Sequence, residues 1–323
     1  MVRIGYFLSS EEHPPGELVR QARLAERSGF TGLWISDHFH PWNEAQGQAP
    51  FVWSTIGAIS QVCRLPVTTA VTCPTMRMHP ALVAQAAATS SVLLDGRFAL
   101  GVGTGEALNE HILGDRWPGG TERLEMLAEA VTVMRRLWSG RNVNHRGTHY
   151  TVADARLYTV PEQPPPVYVS AFGPRSAALA GKLGDGMISV LTDASLVDTF
   201  RDSGGRGKVV QGGFKACHGS HEDEARRVAH RLWGNTWLPG ELGQTLPLPR
   251  HFEQATPLVT EDTVDRYAVC GSDPGRHVDR IRAFVEAGYD EVYVSQIGPT
   301  SEEFFRFYAE RVLPEFAAVR GTA

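Results

Sequence analysis

Two short stretches of the chain carry side chains that could transfer protons. Residues 36–42 read SDHFHPW and place an acid, Asp37, directly before a base, His38. Residues 101–110 read GVGTGEALNE and place Glu106 after three alternating glycines. Each stretch follows an apolar run typical of a buried parallel strand. Because α/β barrels collect their chemistry at the carboxyl ends of such strands, we expect both stretches to contribute to one site.

A histidine at a strand end can act as a base near neutral pH, so His38 is the first candidate catalytic residue. The carboxylate of Asp37 could orient the imidazole ring or bind a cofactor hydroxyl. Trp42 and a second histidine, His40, favour a site at this loop. The alternative is structural: Asp37 caps a turn, His38 bonds to backbone, and Trp42 packs in the core.

The glycine stretch is close to a dinucleotide-binding fingerprint, but Glu106 replaces its last glycine. The better interpretation is a tight turn that brings backbone amides and the Glu106 carboxyl close to a flat ring. Such a carboxyl could exchange a proton with a ring nitrogen while a hydride moves elsewhere on the ring. Alternatively, Glu106 caps the following helix. Together the two stretches predict a redox enzyme that holds a flavin-like cofactor.

The elements that must position these stretches alternate along the chain. Eight apolar runs between helical segments are the predicted strands: residues 2–8, 31–36, 65–71, 97–102, 167–170, 186–190, 208–214 and 291–296. This alternation predicts an α/β fold of the (β/α)8 TIM barrel type, with an open doubly wound sheet as the alternative. Residues 145–166 indicate a hairpin and a proline-rich connector. We expect one barrel domain over residues 1–323, with an inserted segment at about 232–259 over the barrel mouth.

Bulk properties limit the kinds of partner. The net charge of -5 and the pI of about 6.2 give no reason to expect nucleic acid or an anionic membrane. The four cysteines form no CxxC pair and the histidines lack a third ligand, so we expect neither a metal site nor a disulfide framework. The N-terminus has no signal peptide and no apolar run reaches membrane-spanning length. We expect a cytoplasmic enzyme that acts on a small molecule.

Four motifs carry a family likeness: SDHFHPW at residues 36–42, PTMRMHP at 74–80, GVGTGEALNE at 101–110 and AFGP at 171–174. In this order and spacing, they make the chain resemble the coenzyme F420-dependent glucose-6-phosphate dehydrogenases, a branch of the luciferase-like barrel oxidoreductases. The resemblance covers essentially the whole chain. It implies a barrel fold, coenzyme F420 as the cofactor and a homodimer.

The resemblance also implies a role for each matching residue. His38 would take the proton of the substrate hydroxyl, Trp42 would stabilise the intermediate beside it, and Glu106 would protonate the reduced deazaflavin at a ring nitrogen. The residues implied to hold the cofactor are Asp37, Thr104, Gly105, Asn109, Ala171, Phe172 and Gly173. Glu11 matches an acid of the family's substrate pocket. A non-proline cis peptide bond that backs the cofactor would fall at Ala70-Val71.

The substrate side departs from the family pattern. Sugar-phosphate members hold the phosphate with lysines on the loop after the sixth strand and in the inserted segment, and with an arginine beyond it. Here Asp193 stands on that loop, residues 232–259 contain no lysine, and Arg266 alone matches the arginine's neighbourhood. Tryptophans and leucines in the inserted segment favour a more apolar pocket; the alternative is that they simply pack the insert.

We therefore predict an F420-dependent dehydrogenase or reductase that acts on a secondary alcohol, a hemiacetal or a carbonyl compound, with a sugar or sugar phosphate as one candidate. Two alternatives stay open. One is an FMN-dependent monooxygenase or reductase of the same barrel group. The other is a non-catalytic F420-binding protein, since a fold alone does not establish catalysis. The joint presence of His38, Trp42 and Glu106 favours an enzyme.

Overall fold

Eleven strands are present in the computed structural model, which describes residues 2–299 and 302–317. In chain order they are β1 (Arg3–Leu8), β2 (Leu33–Ile35), β3 (Val67–Thr69), β4 (Phe98–Val102), β5 (Val143–Arg146), β6 (Thr151–Ala155), β7 (Val167–Ser170), β8 (Gly186–Ser189), β9 (Val209–Cys217), β10 (Ala268–Cys270) and β11 (Glu291–Gln296). The apolar runs predicted as strands coincide with eight of them. β9 continues to Cys217, beyond the predicted end at residue 214.

Eight of these strands are parallel and close a barrel in the order β1, β2, β3, β4, β7, β8, β9 and β11, with β11 returning to β1. The predicted (β/α)8 TIM barrel is therefore confirmed. β5 and β6 form an antiparallel hairpin within the segment where a hairpin was predicted. β10 was not predicted; it adds a short parallel strand to the end of β9, with Ala268 opposite Lys215.

Thirteen α-helices are found among the described residues. They are α1 (Pro15–Arg27), α2 (Val52–Ser60), α3 (Pro80–Leu93), α4 (Ala107–Glu110), α5 (Gly120–Leu137), α6 (Pro174–Leu183), α7 (Ala194–Phe200), α8 (Glu222–Trp233), α9 (Leu242–Thr245), α10 (Pro249–Ala255), α11 (Glu261–Tyr267), α12 (Pro274–Glu286) and α13 (Glu302–Phe307). Proline in the first turn marks the start of several of them, since its fixed φ suits that position. None of the described helices is long and apolar enough to cross a bilayer.

Aromatic and polar side chains fill the middle of the barrel. Trp34 stacks on Tyr293 with ring centroids 4.5 Å apart, and its Nε1 donates to Gln211 at 2.8 Å. A Cβ on Gly213 would lie 2.5 Å from the Trp34 ring, so this position on β9 requires glycine. Because the interior is packed at this level, a ligand must bind at the carboxyl ends of the strands.

The segment between α8 and β10 lies outside the barrel as short helical pieces. Besides α9, α10 and α11 it contains 3₁₀ turns at Gly234–Trp237 and Thr256–Leu258. Leu238, Phe252 and Val259 of this segment pack with Leu108 in one apolar cluster, which Trp42 adjoins. The inserted segment therefore packs against both loops that the sequence nominated for chemistry.

Candidate active site

The loops after β1 and β2 meet at Glu11 and His38. Ser36 directly follows β2; its hydroxyl donates to Glu11 Oε2 at 2.7 Å and accepts from the Ser10 amide at 2.9 Å. Glu11 Oε1 lies 3.4 Å from His38 Nε2, and both side chains are largely buried. Two neighbouring strand ends thus hold a carboxylate against an imidazole, an arrangement that suits a general base.

His38 has partners in each of its protonation states. Asn109 Oδ1 accepts from the Phe39 and His40 amides at 2.9 and 3.1 Å, so its Nδ2 must point at the imidazole. His38 Nδ1 lies 3.1 Å from both Asn109 Nδ2 and the His40 carbonyl. A proton on Nδ1 is donated to that carbonyl and leaves Nε2 free to accept another. The doubly protonated ring then donates through Nδ1 to His40 O and has the Glu11 carboxylate as its counter-ion, 3.4 Å from Nε2.

Glu11 stays ionised although it is buried. Burial alone raises the pKa of a carboxyl, but the charges of His38 and Lys215 and the Ser36 hydrogen bond together lower the pKa of Glu11 below its ordinary value. The protonated His38 ring therefore has a fixed counter-ion 3.4 Å from Nε2.

Trp42 forms a wall beside His38. The two rings are tilted by 53°, with centroids 5.2 Å apart. Phe252 of α10 meets Trp42 edge-on at 5.1 Å, and Gln46 accepts the Trp42 backbone N–H at 2.8 Å. Trp42 is thus held between His38 and the inserted segment, where it gives the site an apolar side.

The carboxylate of Glu106 is free to react. Glu106 stands at the N-cap of α4, yet its side chain makes no capping hydrogen bond, so the capping alternative is wrong. Within residues 2–299 and 302–317, no hydrogen bond or ion pair engages that carboxylate. The Glu106 carbonyl accepts from the Asn109 amide at 3.1 Å. Asn109 therefore joins the Glu106 loop to the His38 loop, and its predicted contact with the cofactor stays a prediction.

A buried arginine, which the sequence did not nominate, clamps the same two loops. Arg77 Nη2 donates to Asp37 Oδ1 at 2.9 Å, and Arg77 Nε lies 3.5 Å from Glu110 Oε1. The Arg77 amide donates to Glu110 Oε2 at 2.8 Å, and the Thr72 hydroxyl donates to Asp37 Oδ2 at 2.8 Å. Burial raises the pKa of Glu110, an effect that Arg77 opposes. Both Asp37 oxygens are thus bound within the protein, and its role toward the cofactor stays a prediction.

We expect Arg77→Met to destabilise the protein by about 3–5 kcal/mol, because it leaves Asp37 and Glu110 as unpaired buried charges. Both carboxylate side chains are 1% exposed. The matched control is Arg116→Met, since Arg116 pairs with Glu122 on the surface. That control should cost less than about 1 kcal/mol. Urea unfolding measures both free energies, and equal losses would contradict the clamp.

Backbone geometry forms a cradle beside Glu106. The Ala70-Val71 peptide bond is cis, as the resemblance implied. A Cβ on Gly103 would lie 2.7 Å from Val71 Cγ2. Gly105 has a φ of +78°, and a Cβ there would lie 2.6 Å from the buried Cys73 sulfur. Glycine alone permits this close approach of the two loops, and the role of the cradle in holding a flat ring beside Glu106 stays a prediction.

The turn after β7 engages two of its own backbone amides and exposes an aromatic ring. Ala171 is buried, whereas Phe172 is 55% exposed. The amides of Phe172 and Gly173 both donate to Ser176 Oγ at 3.2 Å, so they already have an acceptor. The Phe172 ring is the part of the turn that can meet a ligand. A cofactor-binding role for this turn, and for the half-buried Thr104, stays a prediction.

Two of the predicted substrate residues, Asp193 and Arg266, line one cleft of about 390 Å³ after β8. Arg280 lines it as well, and Asp193 also caps α7 by accepting from the Ser195 amide at 2.8 Å. Glu11 is not part of the described lining of this cleft. The structure therefore separates the three predicted substrate residues into two places, and their roles remain predictions.

Comparison with known proteins gives consistent relatives over the whole chain. The family described as luciferase-like monooxygenase matches residues 2–291. An F420-dependent glucose-6-phosphate dehydrogenase of Microbacterium testaceum is 36% identical over 328 residues, which cover 97% of each chain. An F420-dependent hydroxymycolic acid dehydrogenase of Mycobacterium tuberculosis is 36% identical over 326 residues, covering 97% of this chain and 88% of the relative.

Among solved structures, an F420-dependent secondary alcohol dehydrogenase in complex with an F420-acetone adduct superposes with a TM-score of 0.91. It is 31% identical, and the match covers 97% of this chain and 98% of that one. An F420-dependent tetrahydromethanopterin reductase of Methanopyrus kandleri has a TM-score of 0.77 at 20% identity, which supports the fold alone.

Proposed function

The chain belongs to the luciferase-like monooxygenase family, and we propose that it is a coenzyme F420-dependent oxidoreductase. It moves a hydride between a secondary alcohol, or the corresponding carbonyl compound, and the deazaflavin. One observation carries the proposal. His38, backed by Glu11 and walled by Trp42, stands on the loop after β2, while the free carboxylate of Glu106 stands on the loop after β4. When an alcohol is oxidised and a flavin-like ring is reduced, one proton leaves the substrate oxygen and another is exchanged at a ring nitrogen. His38 and Glu106 are the side chains that can carry these two protons.

Coenzyme F420, when bound, supplies the ring carbon that accepts or gives the hydride. The residues proposed to hold it are Val71 behind the ring, Gly103 and Gly105 at its edge, and Phe172 across the opening. This proposal is supported by the close packing of the two loops: a Cβ added to Gly103 would overlap Val71, and one added to Gly105 would overlap Cys73. Asp37 and Asn109 would act indirectly, by fixing the loops that carry His38 and Glu106.

His38 manages the proton on the substrate oxygen. Its Nε2 takes the hydroxyl proton during oxidation and returns it during reduction, while Glu11 stabilises the charged ring. Asn109 and the His40 carbonyl keep the ring plane fixed during both steps. Glu106 exchanges its own proton with a nitrogen of the bound ring, which its lack of a partner within the described chain allows.

The proposed substrate is a neutral alcohol with apolar substituents. Trp42 contacts Phe252, and Leu238 and Val259 pack in the same cluster of the inserted segment, so the side of the site next to His38 is apolar. Lysines that would bind a phosphate are missing from residues 232–259. The secondary alcohol dehydrogenase at 31% identity and the hydroxymycolic acid dehydrogenase at 36% identity are relatives with names of this chemical type.

A phosphorylated sugar is the second candidate. Its support is the cleft after β8, where Arg266 and Arg280 accompany Asp193, together with the several glucose-6-phosphate dehydrogenases among the relatives. Two arginines beside a carboxylate carry less net positive charge than a site built for a phosphate dianion usually provides. We therefore rank this substrate below the neutral alcohols.

A steady-state panel with oxidised F420 separates the two candidates. We expect kcat/KM for a secondary alcohol with an apolar chain to exceed that for glucose 6-phosphate by at least about tenfold, or about 1.4 kcal/mol of transition-state binding. Glucose without the phosphate serves as the control for the sugar ring. A preference for glucose 6-phosphate over both other substrates would overturn the choice of substrate while leaving the cofactor assignment intact.

The cofactor is tested separately by fluorescence titration with F420 and with FMN. We expect saturable F420 binding in the micromolar range and at least about tenfold weaker binding of FMN. Tighter FMN binding would favour the monooxygenase alternative. Tight F420 binding without turnover of any alcohol, sugar or carbonyl compound would favour a non-catalytic F420-binding protein.

We also propose that the protein is cytoplasmic and that it forms a homodimer. Leu82, Val92 and Leu93 of α3 are 57%, 43% and 41% exposed, and this apolar surface supports association of two copies. Light scattering after size-exclusion chromatography gives the molar mass directly, and a monomer at micromolar concentration would contradict the dimer.

A further inference from the structure

The end of β9 places a lysine inside the barrel. Side chains on a strand alternate, and Gln211 and Gly213 of β9 both face the interior, where they meet Trp34. Phe214 faces outward and stacks on Phe284 of α12. Lys215, two residues after Gly213, therefore points inward and lies at the carboxyl end of the barrel.

Aromatic faces hold the ammonium group of Lys215. Its Nζ lies 3.1 Å from the centroid of the Trp233 ring and 5.1 Å from that of Phe7. No ion pair within 4 Å engages Lys215 in the described part of the chain, although two carboxylates stand close by. Cation–π contacts place the charge without neutralising it.

The same tryptophan connects Lys215 to the loop that carries Glu11. Trp233 Nε1 donates to Glu12 Oε1 at 2.6 Å, and the Gly298 amide donates to Glu12 Oε2 at 2.6 Å. Glu12 is thus fixed next to the ring that carries the ammonium, and Glu11 precedes it in sequence. Lys215 therefore faces two carboxylates of the loop after β1, one of which is the partner of His38.

The charged groups around this position come from two loops and one strand. The loop after β1 contributes Glu11, Glu12 and His13, and the loop after β2 contributes His38. α8 contributes the uncharged Trp233, and Gly298 contributes only its backbone amide. Asp37, beside His38, is engaged by Arg77. Lys215 is therefore the positive charge that β9 contributes to a cluster in which the acids Glu11 and Glu12 predominate.

The titration properties agree with this arrangement. Burial lowers the pKa of Lys215, and the charges of Glu11 and Glu12 oppose that effect. Burial raises the pKa of Glu12, against the effect of Lys215. Glu11 alone among the three has a net shift toward its charged form, to which both His38 and Lys215 contribute.

We infer that Lys215 is a positioning residue of the active site: through its charge it keeps Glu11 ionised and sets the pH range over which His38 gains and loses its proton. The inference rests on the proposed role of His38. Removing Lys215 deletes a positive charge from the cluster, so the cluster binds protons more readily. The pH at which His38 titrates then moves upward. Removing the charge of Glu12 acts in the opposite direction.

The test is a pH titration of the His38 ring by NMR in the protein without cofactor, with the resonance identified by its loss in His38→Gln. We expect Lys215→Met to move the titration midpoint upward by about one pH unit, the size expected for charges several ångströms apart in a partly solvated site. Lys215→Arg should return the midpoint toward the wild-type value. The matched control is Lys208→Met, because Lys208 stands just before the other end of β9 and binds the carbonyls of Gly181 and Gly184.

Glu12→Gln is the second variant. Because burial raises the pKa of Glu12 to about 7, this side chain carries only part of its charge near neutral pH, so the midpoint should move downward by less than it moves upward in Lys215→Met. Opposite shifts in the two variants follow from charge and not from structural damage. The acid limb of kcat/KM for alcohol oxidation should move with the NMR midpoint. A midpoint that stays at the wild-type value in Lys215→Met, or that moves the same way in both variants, would overturn the inference. Because the NMR experiment needs no cofactor, it remains decisive if the F420 assignment fails.

Discussion

His38→Gln is expected to lower kcat for alcohol oxidation by about 10²–10⁴-fold, the range for loss of a general base, while F420 binding changes little. The physical reason is that the Glu11 carboxylate lies 3.4 Å from Nε2 and stabilises the ring once Nε2 has taken a proton. Nδ1 instead contacts Asn109 and the His40 carbonyl. A glutamine side chain retains polarity but cannot accept a proton. Stopped-flow reduction of F420 under single-turnover conditions measures the effect without a contribution from product release.

The matched control for this variant is His40→Gln. The His40 ring binds the Leu108 carbonyl at 2.9 Å through Nδ1 and stacks on His111, so it supports the loop without contacting Glu11. We expect less than about a tenfold loss of turnover in this control. If both variants lost activity equally, loop support and not proton transfer would explain the requirement for His38.

Glu106→Gln is the second variant with a large expected effect, again about 10²–10⁴-fold in turnover. The Glu106 carboxylate has no partner among the described residues, so the amide should cause little rearrangement of the cradle. F420 binding measured by fluorescence should stay within about threefold of wild type, since the substitution keeps the side-chain shape. Loss of cofactor binding instead of turnover would reassign Glu106 to holding the ring.

Glu125→Gln provides the control for this substitution, because Glu125 is exposed on α5. It should turn over at the wild-type rate. A second control is the reverse reaction: if Glu106 exchanges a proton with the ring, Glu106→Gln should slow oxidation of the alcohol and reduction of the carbonyl compound alike. Slowing in one direction alone would contradict a shared proton-transfer role.

The barrel could be predicted from the sequence because each strand is an apolar run of ordinary length between helical segments. β10 was missed because it has only three residues, too few to show the alternation of apolar and polar residues by which a strand is recognised. It pairs with the end of β9. The strand prediction for β9 stopped at residue 214, and this error hid Lys215. Inward-facing Gln211 and Gly213 were the available signal, since alternation assigns the next inward position to Lys215.

The candidate site was predicted unevenly. His38, Trp42 and Glu106 follow from strand ends and residue chemistry, whereas the cis peptide bond at Ala70-Val71 was expected only from the resemblance. Arg77 could not be found from spacing, because its partners are 40 and 33 residues away in sequence and meet it only in the folded barrel. Buried ion pairs of this kind depend on tertiary contacts that local patterns do not encode.

The most direct test of the central claim uses a secondary alcohol that carries deuterium at its carbinol carbon. The protein is mixed with oxidised F420 and this alcohol in ordinary water, and the reduced cofactor and the ketone are analysed by mass spectrometry. Direct hydride transfer predicts one deuterium in the reduced cofactor for each ketone formed. Reduced F420 without deuterium, or ketone formation that proceeds with FMN but not with F420, would contradict the assignment.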